Sequence, residues 1–444
     1  MADFSEQFKV YEYGRGLQKQ KFILERVKDS QDREEADDGF IVFDLGDVIA
    51  KQRQWKELLP RVKPFYAVKC RPYSVILKMM AAMGISFDCA SKAEIENVLR
   101  LGVDPSRIIL SHTRKQSSTL EYAVAKHINL MIFDDENELR KIKQIHPSAR
   151  LLLRFAIYDP TADFCPGLKF GCEQDDAISL LEVARMLNLN VIGVHFHIGT
   201  GNNTPAMYMD AITFSRKVFN VASELGFEFT TLDIGGGFPG YALSEGIFQE
   251  YAEAVNTSLN EHFPDDDIDI IAEPGQYYMQ SAGTIVAGVI GKRVRNPGIK
   301  QGKEMRAVPT VHVDYFLNDS LYTSLRDVIY TPHKYHPVPL TMTKIPEGPP
   351  YPGVIYGNTC CGTDIIMQKC SLPELDEGDW VYFEDKGDYS HMVTNFNGFK
   401  RPFCYYALPD NCKNLLCLME NATSCKFSIP KDGFQLLRGL DHDE

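Results

Sequence analysis

The stretch Pro64-Phe65-Tyr66-Ala67-Val68-Lys69-Cys70 is a short apolar run that reads as a buried β-strand, with Arg71-Pro72 ending it. Further runs of the same kind follow: Ile85 to Cys89, Arg107 to Leu110, Leu130 to Phe133, Arg150 to Phe155, Val191 to Ile198, Thr230 to Ile234 and Asp269 to Ala272. Helical spacing fills the intervals, as over Tyr73 to Met83, Ala93 to Leu101, Glu136 to His146, Ala177 to Asn188 and Asp210 to Leu225. Eight strands alternating with helices predict an α/β architecture, a (β/α)8 TIM barrel. After Gly283 the pattern changes. Val311 to Phe316, Gly353 to Tyr356, Trp380 to Phe383 and Cys404 to Ala407 read as strands broken by Pro and Gly clusters, so a β-sandwich or barrel-like domain is expected to follow.

The 444 residues suit two domains, and 44% hydrophobic with 24% charged residues gives ample material for a core. A net charge of −13 argues against nucleic acid, because neutralising phosphates needs a basic face. The one basic run, Lys292-Arg293-Val294-Arg295 through Lys300, Lys303 and Arg306, reads as a solvated loop. The longest uncharged apolar stretch, Ala282 to Ile290, is too short to span a bilayer, and the N-terminus has no signal core, so a soluble, cytoplasmic protein is expected. Eleven cysteines without zinc spacing read as reduced thiols, and no metal site is expected.

Polar residues end the predicted barrel strands: Lys69, Asp88, His112, Arg154, His197, Gly235-Gly236-Gly237 and Glu273. Catalytic groups of such barrels collect at the C-terminal ends of the strands. A lysine there, on a rigid and partly dry base, suits Schiff-base chemistry, since desolvation makes the free amine available. Each residue alone also has a structural explanation: Lys69 as a snorkelling strand end, Asp88 as a helix cap near Ser91, His197 as a core histidine. Their joint appearance on successive strands favours a site. The glycines also match a dinucleotide-binding pattern, but they follow the seventh strand and run into Pro239, where a barrel places a phosphate cradle instead.

PFYAVKC, FDCASKAEIE, the His195 to Gly201 stretch HFHIGTG, LDIGGGFPG, AEPG, GNTCCGTD and FNGF together resemble the ornithine decarboxylase family of eukaryotes, in order from about Phe40 to about Tyr406. The resemblance implies a pyridoxal 5'-phosphate enzyme acting as a homodimer with shared active sites. It implies a segment 1–38 joining the β-domain, a barrel over 39–282, a β-domain over 283–410 and a tail over 411–444. Carried onto this sequence, Lys69 would hold the cofactor, Glu273 would pair with its ring nitrogen, and His197 would stack on the ring. Asp88 and Arg154 would tune protonation nearby. The phosphate would lie among Gly235, Gly236, Gly237, Thr200 and Tyr389. Cys360, from the partner chain, would control proton delivery after carbon dioxide leaves.

The chain departs from the family at three positions. Cys361 stands where the family has Asp after the cysteine, and Thr331 stands where an Asp follows the tyrosine matched by Tyr330. Those two acids receive the distal ammonium of ornithine in the family. Without them, burying an ammonium costs several kcal/mol, so a pocket lined by Thr331, Cys361, Tyr322 and Phe396 is expected to take a neutral aliphatic amino acid such as leucine. Gln276 replaces an arginine that the family places on the phosphate, and is expected to weaken cofactor retention. Two other readings stay open: an ornithine or lysine decarboxylase with Asp327, Asp364 or Asp388 supplying the charge, and a non-catalytic relative that binds a regulatory protein of the polyamine pathway.

Overall fold

The computed structural model describes residues 8–14, 16–31, 38–158, 165–201, 204–242, 245–265, 267–295, 311–331, 335–341, 349–390, 396–421 and 427–428. The chain divides into two compact units, Val48–Gln280 with the helix Lys413–Asn421, and Lys9–Asp47 with Ser281–Cys412.

In the first unit Val62–Ala67, Ser86–Cys89, Ile108–Leu110, Leu130–Phe133, Arg150–Arg154, Asn190–His195, Thr231–Asp233 and Asp269–Ala272 pair in sequence, all parallel. Asp269–Ala272 then pairs with Val62–Ala67 and closes the barrel. Side chains alternate along a strand, so every second residue faces the interior. Phe65, Ile109, Ile132, Leu152, Ile192 and Ile271 pack there as one apolar layer. Two residues further along four of these strands stand Ser111, Asp134, Arg154 and Glu273, all buried. The same alternation that fills the interior with aliphatic side chains therefore aims a polar set at the C-terminal mouth.

Ser91, rather than Asp88, caps the helix Lys92–Leu99, accepting the Glu94 N–H at 3.3 Å. Lys69 does not end a strand. The strand stops at Ala67, and Lys69 lies on the 3₁₀ turn Val68–Cys70.

The second unit is built on a ten-stranded sheet, in the order Ile365–Leu372, Tyr351–Tyr356, His312–Leu317, Gly283–Arg295, Phe40–Asp44, Phe403–Pro409, Phe8–Tyr13 and Phe427–Ser428. Trp380–Phe383 joins Gly283–Arg295 to Pro337–Leu340 off this path. Its core gathers Tyr11, Phe22, Ile23, Phe40, Val42, Val286, Trp380 and Tyr405. Two sequence expectations change here. Residues 40–44, placed in the barrel by the sequence, form a strand of this sheet because Phe40 and Val42 belong to its core. The basic run is strand as far as Arg295: Arg293 and Arg295 share the buried Asp314 carboxylate at 2.9 and 2.6 Å, which offsets half of their charge. Lys300, Lys303 and Arg306 lie outside the described residues.

The tail expected over 411–444 begins with the helix Lys413–Asn421, which packs on the helix Ser74–Ala82, while 429–444 lie outside the described residues. Among the described residues no helix is long and apolar enough to cross a membrane, and Ala282 to Ile290 is part of a strand. The described cysteines are all free thiols.

Candidate active site

At the barrel mouth Lys69 Nζ pairs with Asp88 Oδ2, and Ser111 Oγ donates to the other oxygen of the same carboxylate. Asp88 is buried, which pushes its carboxyl up, as does the nearby Glu273, while Lys69 and Ser111 oppose the rise. Arg154, His195 and Asp233 stand side by side in register on three adjacent strands and share the inward side. His195 Nε2 lies 3.2 Å from Glu273 Oε2. Burial, then Arg154, hold His195 well below the usual imidazole range, so its ring is neutral and Nε2–H donates to the carboxylate. Glu273 is itself raised by burial, with Lys69 and Arg154 pulling it down. Asp233 is raised well above the carboxylate range by burial and by Glu273.

His197 follows the same logic on the next inward position. The Gly199 N–H donates to His197 Nδ1 at 2.9 Å, which leaves the ring proton on Nε2. Burial, Arg154 and Lys69 keep the imidazole neutral. His112, also expected at the mouth, spends its Nδ1 on the Arg114 N–H at 2.9 Å and serves the loop instead.

The glycine loop is pinned from one side. Tyr208 donates to Gly236 O at 3.0 Å, the Gln276 amide donates to Phe238 O at 3.0 Å and Gly237 O at 3.4 Å, and Lys51 donates to Gly240 O at 2.7 Å. In a planar trans peptide the C=O and the following N–H point opposite ways, so the N–H groups of Gly237 and Phe238 are directed away from these donors. Side chains are barred from the turn. Gly235 has φ +62°, and a Cβ there would lie 2.1 Å from Phe196 O; at Gly236 it would lie 2.6 Å from Glu273 O and 3.0 Å from His197 Nε2. The result is a bare backbone concavity of the kind that receives an anion.

Cys360, Cys361, Thr331, Tyr322, Phe396 and Tyr389 lie in the second unit. The loop from Gly357 to Asp364 is fixed by the buried Asp364, whose carboxylate accepts the Leu321 N–H at 3.0 Å, the Thr359 N–H at 3.1 Å and Thr359 Oγ1 at 2.6 Å. On this loop Cys360 is exposed, its N–H donating to Asn397 Oδ1 at 3.0 Å. Tyr322 OH donates to Cys361 Sγ at 3.0 Å, and Thr363 Oγ1 lies 3.1 Å from the same sulfur. The Tyr322 ring stacks on Phe396 at 4.7 Å between centroids. Thr331 Oγ1 donates to Asp327 O at 3.2 Å, while the Asp327 carboxylate takes the Tyr335 hydroxyl. Tyr389 is 39% exposed and has φ +46°.

Residues 45–280 match the family model described as pyridoxal-dependent decarboxylase, pyridoxal binding domain. The chain belongs to the ornithine decarboxylase family of pyridoxal-dependent decarboxylases. It is 40% identical to mouse (Mus musculus) ornithine decarboxylase over 87% of this chain and 83% of that protein. It is 41% identical to antizyme inhibitor 2 of Xenopus laevis over 87% of this chain and 84% of that protein. Among solved structures, the arginine decarboxylase of Paramecium bursaria Chlorella virus bound to agmatine matches with a TM-score of 0.79 at 36% identity, covering 87% of this chain and all of that one (100%).

Pyridoxal phosphate is the cofactor of this decarboxylase family, and the barrel residues fit it. Asp88, Asp233 and Glu273 gather three carboxyls beside the basic side chains of Lys69 and Arg154, and burial together with Glu273 keeps Asp233 protonated. Glu273 is buried, and apart from His195 the group it bonds is the Asp233 carboxyl, whose place a protonated ring nitrogen could take. The donor atoms of His195, Asp233 and Glu273 lie within 4.8 Å of one another, close enough for a metal ion, but Arg154 and Lys69 beside them make a single cationic nitrogen the better match.

Sequence reasoning brought together Lys69, Asp88, Arg154, His197 and Glu273, and missed His195, Asp233, Ser111 and Tyr208. The first three carry a period-two signal, since His195 precedes His197, Asp233 precedes Gly235, and Ser111 follows Ile109, each by two residues. Tyr208, on the helix Pro205–Glu224, carries none.

Proposed function

We propose that this protein decarboxylates a neutral aliphatic L-amino acid such as leucine, using pyridoxal phosphate held on Lys69. When bound, that cofactor supplies an electron sink for the bond to the departing carboxylate. Lys69 is the amine that would anchor it, with Asp88 paired to its Nζ. Glu273 keeps the ring nitrogen protonated, with His195 donating to its other oxygen. His197, neutral, offers a flat apolar face. Arg154 balances the carboxyls. The N–H groups of the glycine loop, with Thr200, would take the phosphate, and Gln276 acts on that loop through the Gly237 and Phe238 carbonyls it braces. Cys360, from the second chain of a homodimer with shared sites, delivers the proton that replaces carbon dioxide.

One observation carries the substrate reading. Thr331 and Cys361 stand where acids would meet a distal ammonium, and of the three acids that could replace them Asp364 and Asp327 are already engaged, while Asp388 is buried. Asp364 is buried under three hydrogen bonds, and the Asp327 carboxylate holds Tyr335. An ammonium placed there would lose its hydration without gaining a free carboxylate from either. A leucine side chain instead gains about 1.5–3 kcal/mol from burial.

The likeness to antizyme inhibitor 2 favours a second reading, a regulator that binds antizyme. Both are tested on the purified protein. Visible absorbance from lysine-bound cofactor, with carbon dioxide release from leucine or methionine exceeding that from ornithine and lysine, supports the first. Antizyme binding with no absorbance and no release from any common L-amino acid overturns it.

A further inference from the structure

The substitution that removes the family's aspartate leaves two adjacent thiols, Cys360 and Cys361, where the family has one. Their environments differ. Cys360 is exposed. Cys361 is surrounded by hydroxyls, with Tyr322 OH at 3.0 Å and Thr363 Oγ1 at 3.1 Å from its sulfur. The loop carrying both is held from below by the buried Asp364 and from the side by Asn397.

We propose that Cys360 and Cys361 form a redox-sensitive pair, bridged on exposure to a hydroperoxide and reopened by thiols, so that oxidation withdraws the proton-delivering thiol. The thiolate is the reacting form, and hydroxyl donors at the sulfur stabilise it. Hydrogen bonds from Thr363 and Tyr322 hold Cys361 below the ordinary thiol range, whereas burial pushes Cys172 up to about 12 and Cys370 to about 11. Cys361 therefore attacks first. Its sulfur forms a bond to one peroxide oxygen as the O–O bond breaks, and the leaving hydroxide takes the thiol proton as water. Cys360 then attacks the sulfenic sulfur; the S–S bond forms, the S–O bond breaks and a second water leaves with the Cys360 proton. Two electrons from the two thiols reduce one peroxide.

Adjacent residues also determine how firmly the bridge holds. Consecutive Cα atoms are about 3.8 Å apart across a trans peptide, against about 4.4–6.8 Å in an ordinary disulfide. Such a bridge is strained and readily reduced, which suits a reversible switch rather than a staple.

The loss of turnover rests on the role proposed above for Cys360, whereas the bridge itself does not. The full chain is treated with hydrogen peroxide, alkylated with iodoacetamide, digested and read by mass spectrometry. The peptide carrying both cysteines should lose two hydrogens and resist alkylation, dithiothreitol should restore it, and carbon dioxide release should fall and recover in step. Tyr322→Phe should slow bridging by about tenfold by removing one donor, and Cys361→Ser should abolish it. Bridging in a chain without decarboxylase activity supports the pair and overturns the proposed function instead. The pair is overturned if both thiols still alkylate after peroxide. It is equally overturned if Cys360 goes on to sulfinic acid as fast in wild type as in Cys361→Ser.

Discussion

Replacing both pocket positions with acids, Thr331→Asp with Cys361→Asp, tests the substrate reading at its weakest point. The carboxylate at 361 would inherit donors already in place, Tyr322 OH and Thr363 Oγ1, about 3 Å from the present sulfur. Hydrogen bonds to a charged group contribute about 1.5–3 kcal/mol each, so the new acid is held ionised rather than driven neutral. A leucine side chain brought against it gives up much of its about 1.5–3 kcal/mol of burial and also strips water from the charge. A combined loss of about 3 kcal/mol corresponds to a fall of about two orders of magnitude in kcat/KM for leucine. Ornithine turnover need not appear, because pocket depth is set by other residues. The assay is carbon dioxide release from leucine, methionine, ornithine and lysine, run side by side on the unmodified and double-variant proteins. Unchanged leucine turnover in the variant, or preference of the unmodified protein for ornithine or lysine, refutes the reasoning.

Lys69→Ala should abolish both the visible absorbance and turnover, because among the described residues no other amine is paired at Asp88; normal turnover in that variant sinks the mechanism. Mixing Lys69→Ala with Cys360→Ala chains should regenerate a minority of intact sites by subunit exchange, and no recovery where exchange is demonstrated argues against shared sites. Gln276→Arg should tighten cofactor binding by about 1.5–3 kcal/mol, since a guanidinium has donors enough to brace Gly237 and Phe238 and still reach the phosphate; equilibrium dialysis showing unchanged affinity counts against it. Asp233→Asn should flatten the pH dependence of apoprotein stability. Burial and Glu273 raise the folded Asp233 above its ordinary value of 3.8, so its contribution is full below that pH and is lost as pH rises through the raised value. Each unit of that shift is worth about 1.4 kcal/mol, and thermal melts from about pH 5 to about pH 8 with identical slopes for variant and wild type would show that Asp233 is not the group.

The barrel was legible because each of its strands is a compact apolar run and the helices between them keep a different period. The polar mouth was legible only where a residue ends its run, as Asp88, Arg154 and Glu273 nearly do. His195 and Asp233 lie inside runs that are apolar on both sides, and a sequence gives no sign that they stand on the two successive strands beside Glu273. The second sheet was read in part for a related reason. Several of its strands pair with partners far away in the chain, so Phe40–Asp44 was indistinguishable from the start of the barrel. Thr331 and Cys361 stood out as departures from the family pattern, but the engagement of Asp327 and Asp364 emerges only once the chain is folded.

Phe40–Asp44 lies between Gly283–Arg295 and Phe403–Pro409, with Phe40 opposite Phe403. During synthesis the segment Val48–Gln280 leaves the ribosome with every barrel strand present, while the strand preceding it waits for partners made more than two hundred residues later. Until Phe403–Pro409 emerges, one side of that early strand is an open hydrogen-bonding edge, and such edges recruit other chains. Nascent-chain arrest between the two events should therefore give a protease-resistant barrel carrying a sticky leader. A truncated chain that stops short of residue 403 should yield aggregate rather than a smaller folded protein.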